Sequence, residues 1–273
     1  MSLYFKNLRT TINGQSYYAE SVDISESISI ETFSALGTKG SYAFPSNKPE
    51  GSINMTFYLT TGDEVSNIED QYGKNQFTDI SVGPFSVENA LLNSFSVQGD
   101  ANTIVKGSVS YNYYGQMTSG AVPSKASAQI VPAHGAASSG TFIDLGITDI
   151  TSFDYAFSQS HDVQYEIGSN VPSKVVFQEA TKDMTLNILA SDANFPQSNL
   201  TGVNGLCQDN DGSAGFAKKS LSITLKNLCE ENVASLSITG YVQERSFGAE
   251  PGKEAMQTLR VSEKYVREVN CDE

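Results

Sequence analysis

Apolar and polar residues alternate along much of this chain. In VDISESISIE (22–31), Val22, Ile24, Ile28 and Ile30 occupy even positions, with Asp23, Ser25, Ser27, Ser29 and Glu31 between them. Ile53, Met55, Phe57 and Leu59 alternate in SINMTFYL, and Val109, Tyr111 and Tyr113 in SVSYNYY. Met184, Leu186 and Ile188 repeat the pattern further on, as do Leu221, Ile223 and Leu225, then Leu236 with Ile238, and Leu259 with Val261. A period of two marks strands with one buried and one solvated face, which pair antiparallel in sandwiches or barrels. The pattern predicts an all-β fold. Helix signal is sparse: GDEVSNIEDQYG (62–73) has acids in its first turn and Val65, Ile68 and Tyr72 on one face. PGKEAMQ (251–257) predicts at most another turn or two.

Between 118 and 140 the strand pattern lapses into TSGAVPSKASAQIVPAHGAASSG, whose Ala, Ser, Gly and Pro predict a linker or exposed crossing segment. The flanking parts, 1–117 and 141–273, carry matching blocks in the same order. LNSFSVQGD (92–100) recurs as VASLSITGY (233–241), both apolar-x-Ser-apolar-Ser-apolar-x-Gly. LGTKGSYAFPSNKPEGSINMTFYL (36–59) aligns with IGSNVPSKVVFQEATKDMTLNIL (167–189), and an alternating strand precedes each. The ordered series predicts two tandem β-sandwich or barrel domains arising by internal duplication, each with at most one short helix. The repeated phrase then packs Phe95 and Val97, or Leu236 and Ile238, inward and turns at Gly99 or Gly240.

Composition agrees with strands: 13 Tyr, 14 Phe and no Trp in 273 residues. No run approaches the ~20 apolar residues of a membrane span, and MSLYFKNLRTTINGQ lacks a signal-peptide core, so first appearance in the cytosol is expected. The net charge is −14, spread over both halves, with 12 acids against 6 bases in 1–117 and 19 against 10 in 141–273. Such a surface repels phosphate backbones and argues against specific nucleic-acid binding. Cys207, Cys229 and Cys271 are odd in number and widely spaced, unlike a disulfide framework or zinc site.

Candidate chemistry is thin. His134 sits in the small-residue segment and His161 beside Asp162 in SQSHDVQ; neighbours on an extended chain face opposite ways, so neither predicts a catalytic dyad. In CQDNDGSAG (207–215), Asp209, Asp211 and Ser213 start a calcium-loop count, but Ala214 and Ser220 stand where Gly and Glu are needed. The stretch is read as a turn-rich connection, since Asp, Asn and Gly are what turns require. The sequons at Asn54 and Asn199 carry no meaning without secretion, and Tyr111, Tyr113 and Tyr114 fit a strand better than a sugar-stacking platform. No enzyme, metal or cofactor is predicted.

Two β-domains joined by a small-residue linker, with a long loop after Leu36-Gly37-Thr38, resemble a bacteriophage tail tube protein of the duplicated kind over 20–117 and 141–267. The resemblance implies a structural virion protein. Each domain would place one sheet on a tube lumen, and long loops would make ring-to-ring contacts. It implies rings of three chains with a pseudo-six-fold wall, stacking into a tube, with other tail proteins as neighbours and DNA sliding through an acidic bore. Lys39, Tyr42, Phe44 and Pro45 in the first loop, and Val171, Pro172, Val175 and Phe177 in its counterpart, are the expected contact residues. Asp23, Ser25, Ser27, Ser29 and Glu31 are the expected lumen face. The competing expectation is a capsid decoration or host-recognition β-protein that binds glycans.

Overall fold

A computed structural model describes residues 9–28, 30–34, 42–45, 49–74, 76–121, 130–141, 150–169, 171–189, 219–252 and 254–265. The fold is all-β, as the alternation predicts, with one α-helix among the described residues. Among the described residues no helix is long and apolar enough to cross a membrane.

In the first half, β1 (Thr10–Ile12), β2 (Gln15–Ser27), β5 (Glu50–Tyr58), β6 (Thr78–Val82), β7 (Phe85–Asp100) and β8 (Lys106–Tyr114) form a closed barrel. The order runs β7-β6-β1-β2-β5-β8, and β8 returns to β7. β3 (Ile30–Phe33) and β4 (Tyr42–Pro45) pair separately as a ribbon between β2 and β5 in the chain. Closure works because alternate side chains fill the interior: Ile53, Met55, Phe57, Phe95, Val97 and Tyr111 are all buried. Asn13 and Gly14, both at positive φ (49° and 80°), make the two-residue turn between β1 and β2, where the twist of a hairpin demands left-handed backbone. The expected helix forms as α1 (Gly62–Glu69), with Val65 and Ile68 buried against the barrel. Glu64 is buried but satisfied, accepting from the amides of Thr60 (2.7 Å) and Thr61 (3.2 Å) ahead of the first turn.

The second half comprises β10 (Ser139–Thr141), β11 (Ile150–Gln164), β12 (Lys174–Leu189), β13 (Lys219–Lys226), β14 (Asn232–Gly248) and β15 (Met256–Tyr265). Its order is β11-β12-β15-β14-β13-β10, the same succession as β2-β5-β8-β7-β6-β1. Two β-bulges recur with it. Glu20 is the extra residue between Ala19↔Phe57 and Ser21↔Thr56, and Thr151 is the extra residue between Ile150↔Ile188 and Ser152↔Asn187. Asn93 bulges between Leu92↔Tyr111 and Ser94↔Ser110, and Gln243 bulges between Val242↔Val261 and Glu244↔Arg260. Every residue of the first bulge lies 131 positions from its counterpart, and every residue of the second lies 150. The halves meet edge to edge where β7 pairs antiparallel with β11, from Ser94↔Ser158 to Asp100↔Ser152. Buried apolar residues of both halves form one connected core.

Several expectations are corrected. Gly99 and Gly240 lie within β7 and β14 and turn nothing. Both are close-approach positions: a Cβ at Gly99 would stand 2.7 Å from the Phe153 ring, and one at Gly240 would stand 2.3 Å from the Ser262 carbonyl oxygen. The repeated phrases occupy strands with the same place in the order, but the bulges set Leu92 against Val242, not Val233. Ile28 and Ile30 are solvent-exposed because β2 ends at Ser27 and β3 begins a separate ribbon. Residues 251–252 form a turn leading into β15, with no helix. The described parts of the small-residue segment, 118–121 and 130–140, are built into the fold: β9 (Thr118–Ser119) pairs with β7, and Ala133 is fully buried, its amide bonding to the Leu59 carbonyl at 2.8 Å.

Candidate functional site: a polar sheet face shared by both halves

The β7–β11 joint makes β2, β5, β8, β7, β11, β12, β15 and β14 successive strands of one sheet. Its inward face is the apolar core, so the period of two sends the polar residues of every strand to the opposite face. There they align in rows across the strands. One row is Asp23, Asn54, Ser110, Ser94, Ser158 and Thr181, each paired with the next. The row beside it is Ser21, Thr56, Ser108, Ser96, Ala156, Asp183, Ser262 and Tyr241. A third is Tyr18, Tyr58, Lys106, Gln98, Asp154, Thr185, Arg260 and Glu244.

Short hydroxyl side chains tie neighbouring strands together across this face. Ser25 and Ser52 are 3.0 Å apart, Ser158 and Thr181 3.1 Å, and Thr56 and Ser108 3.4 Å. Thr258 donates to Asn187 (2.8 Å), which donates to Ser152 (2.8 Å). An open depression of about 400 Å³ lies over the first two rows, too shallow and hydroxyl-lined to enclose an apolar ligand. The two bases of the third row are matched by acids: Lys106 meets Glu20 at 2.8 Å, and Arg260 meets Asp183 at 3.0 Å. Asp154 accepts from Gln98 at 3.3 Å. Partial burial raises its carboxyl above the ordinary range, and the nearby Asp183 charge adds to the shift.

On the core side, α1 and the turn after it are clamped by the second half. Gln159 of β11 is buried and donates to the carbonyls of Leu92 (3.1 Å) and Gln71 (3.3 Å), while accepting from the Gly73 amide (2.9 Å). Tyr155 donates to Glu69, which also receives Lys182 at 3.3 Å. Burial and the Glu69 charge drive the Tyr155 phenol far above its ordinary value, so it stays a donor. Tyr72 stands edge-on to Phe157 with centroids 5.1 Å apart. The polar face is thus backed, at the β7–β11 joint, by a sealed contact on the core side.

The expected lumen residues Asp23, Ser25 and Ser27 lie exposed on the polar side of β2. Glu31 is exposed on β3, and Ser29 lies outside the described residues. Of the expected contact residues, Tyr42, Phe44 and Pro45 form β4, opposite Phe33, Glu31 and Ile30. Lys39 lies outside the described residues. Val171 is exposed, Pro172 is buried, Val175 is half-buried in β12, and Phe177 is buried with His161 edge-on at 5.9 Å. His161 lies within β11, and burial lowers its pKa. His134 caps a short 3₁₀ turn, its Nδ1 accepting from the Ala136 amide at 3.2 Å. Tyr111, Tyr113 and Tyr114 are buried and offer no platform to a sugar. Asp209, Asp211, Ser213, Asn199, Cys207 and Cys271 lie outside the described residues. Among the described residues no group of three or more His, Cys, Asp or Glu could hold a metal. Beyond β2 the sequence does not single out the Ser and Thr rows, whose trace is the alternating serines of SFSVQ and SVSYN, and it does not single out the Gln159 clamp.

No family model and no curated protein matches the chain. Among solved structures it is similar to the Dit protein (gp 19.1) of phage SPP1, described as a paradigm of the hub adsorption apparatus in phages infecting Gram-positive bacteria. The identity is 12% and the TM-score 0.26, over 95% of this chain and 99% of that one.

Proposed function

We propose that this chain is a non-enzymatic structural protein of a phage tail, which assembles with its own copies into rings that stack as a tube around passing DNA. The observation that carries this is the polar face running unbroken across eight strands and both halves. A lumen wall needs such a surface. Duplex DNA carries one negative charge per ~1.7 Å of its axis, and a basic wall would bind it. A carpet of Ser, Thr and Asn, whose Lys106 and Arg260 are matched by Glu20 and Asp183, presents hydroxyls and net negative charge.

The halves arose by duplication on this proposal. Support comes from the shared strand order and from two bulges recurring at constant spacing, since bulges are specific local features that persist within families. Two equivalent units per chain favour three chains around a pseudo-six-fold axis. The β3–β4 ribbon and the exposed Val171 region are the proposed contacts to neighbouring rings and other tail proteins, and the proposed location is the virion tail.

Negative-stain microscopy with sedimentation of the purified chain is the test. Rings or tubes with a two-lobed repeat are expected. A monodisperse monomer at every concentration would overturn the assignment.

A further inference from the structure

The way the two halves join predicts how two copies join. Inside one chain, residues 94–100 of β7 pair antiparallel with residues 152–158 of β11. The bulge at Asn93 corresponds to that at Gln243, so β14 holds the place of β7 with a displacement of 150. The bulge at Glu20 corresponds to that at Thr151, so β2 holds the place of β11 with a displacement of 131. Carried over by these displacements, the joint falls on residues 244–250 and 21–27.

Both segments can accept a strand. Residues 241–248 of β14 pair with β15, and β13 joins β14 only up to Gly240. Residues 18–27 of β2 pair with β5, and β1 reaches only Tyr17. Among the described residues each segment therefore has a partner strand on one side. The two lie at opposite ends of the eight-stranded sheet, so complementary edges face away from each other within one copy. Such edges meet only between copies, head to tail, and a head-to-tail contact closes into a ring when its rotation allows.

We infer that β14 of one copy pairs antiparallel with β2 of the next, extending the polar face across the boundary. This rests on the ring assembly proposed above and specifies its joint. The register runs from Glu250 opposite Ser21 to Glu244 opposite Ser27, with Ser246 opposite Ser25. Face parity agrees, because Ser21, Asp23, Ser25 and Ser27 meet Glu250, Gly248, Ser246 and Glu244 in turn on the polar side, as Ser158 meets Ser94 within the chain. On the core side Ile24 faces Phe247, where the intrachain joint sets Tyr155 against Val97, both fully buried. Ile24 is half-buried and Phe247 55% exposed in the single chain, and pairing covers both. No like charges oppose each other in this register, and Arg245 falls across from Glu26. The pairing also removes two sheet edges that would otherwise invite aggregation.

Directed cross-linking tests the joint. With Cys207, Cys229 and Cys271 replaced by Ser, the variants Ser25→Cys and Ser246→Cys are each purified, mixed and oxidised. Both sites are exposed, and circular dichroism of each variant confirms folding before mixing. Disulfide dimers are expected from the mixture, with neither variant alone cross-linking beyond background. Replacing Ser246→Cys by Glu244→Cys or Gly248→Cys shifts the pair by two residues and should return the yield to background. Rings in the microscope without register-selective cross-linking would overturn this joint and leave the ring assembly standing. Monomers by sedimentation without cross-links would overturn both.

Discussion

Gln159 is the side chain whose removal most directly tests how the halves are locked together. Its amide makes three hydrogen bonds in a buried site, to Leu92, Gln71 and Gly73. Gln159→Leu keeps the volume and deletes all three. The stranded Gly73 amide costs about 1–3 kcal/mol, and each carbonyl losing a donor costs about 0.5–1 kcal/mol. Burying additional apolar surface in the leucine offsets about 1–2 kcal/mol. The net expectation is a loss of about 2 kcal/mol, or about 4–8 °C in Tm at the ~2–4 °C per kcal/mol typical of chains near this size. Urea unfolding gives the free energy, and hydrogen exchange at the Gly73 amide gives the locality. Because the halves share one core, loss should appear as a shift of a single transition, with faster exchange at Gly73. A midpoint within about 0.5 kcal/mol of the parent, with Gly73 exchange unchanged, would refute the clamp. Separation into two transitions would refute the shared core.

Two further outcomes follow from close approach and burial. Gly240→Ala should destabilise more than Gly99→Ala, because the first new methyl meets the Ser262 backbone and the second a Phe153 ring that can shift. Urea midpoints should differ by about 1–2 kcal/mol within the ~1–3 kcal/mol range of overpacking, and equal costs would count against the geometry at Gly240. Asp154→Asn should stabilise the protein at pH 7. The folded-state pKa of Asp154 is raised, so its ionised form is penalised above that value, and the penalty fades as pH falls towards the unfolded value near ~3.9. Urea midpoints of parent and variant should therefore converge on acidification, and a gap that widens instead would reverse the assigned sign.

Period-two alternation made the strands legible because the core takes alternate residues of each one: Ile53, Met55 and Phe57 are buried as their spacing predicts, and so are Met184, Leu186 and Ile188. It failed where the chain leaves the sheet that covers the core. Ile28 and Ile30 continue the rhythm of Val22 and Ile24 but stand in solvent at the change from β2 to β3. The polar face was half legible. Asp23, Ser25 and Ser27 could be assigned to a solvated side, but their alignment with Ser94, Ser110 and Ser158 depends on pairings between residues far apart in the chain. The Gln159 clamp left no signal at all, since one glutamine in a polar stretch looks the same whether its amide meets water or three backbone groups.

The repeated phrase shows why spelling and place can part company. Apolar-x-Ser-apolar-Ser-apolar-x-Gly describes a strand with a buried face, a hydroxyl face and a glycine where another chain segment crosses closely. Both copies meet those demands, at Gly99 beneath Phe153 and at Gly240 beneath Ser262. The demands recur wherever a long strand passes from one partner to another, so the phrase can repeat without marking equivalent residues. Bulges constrain more: an extra residue on one strand moves every later pairing by one, so a bulge can drift only if both strands and their facing side chains change together. Glu20 with Thr151, and Asn93 with Gln243, therefore register the halves more securely than any shared letters. That registration sets β14 in the place of β7 and β2 in the place of β11. On the assembly proposed above, the joint formed once within the chain would be the template for a joint between chains.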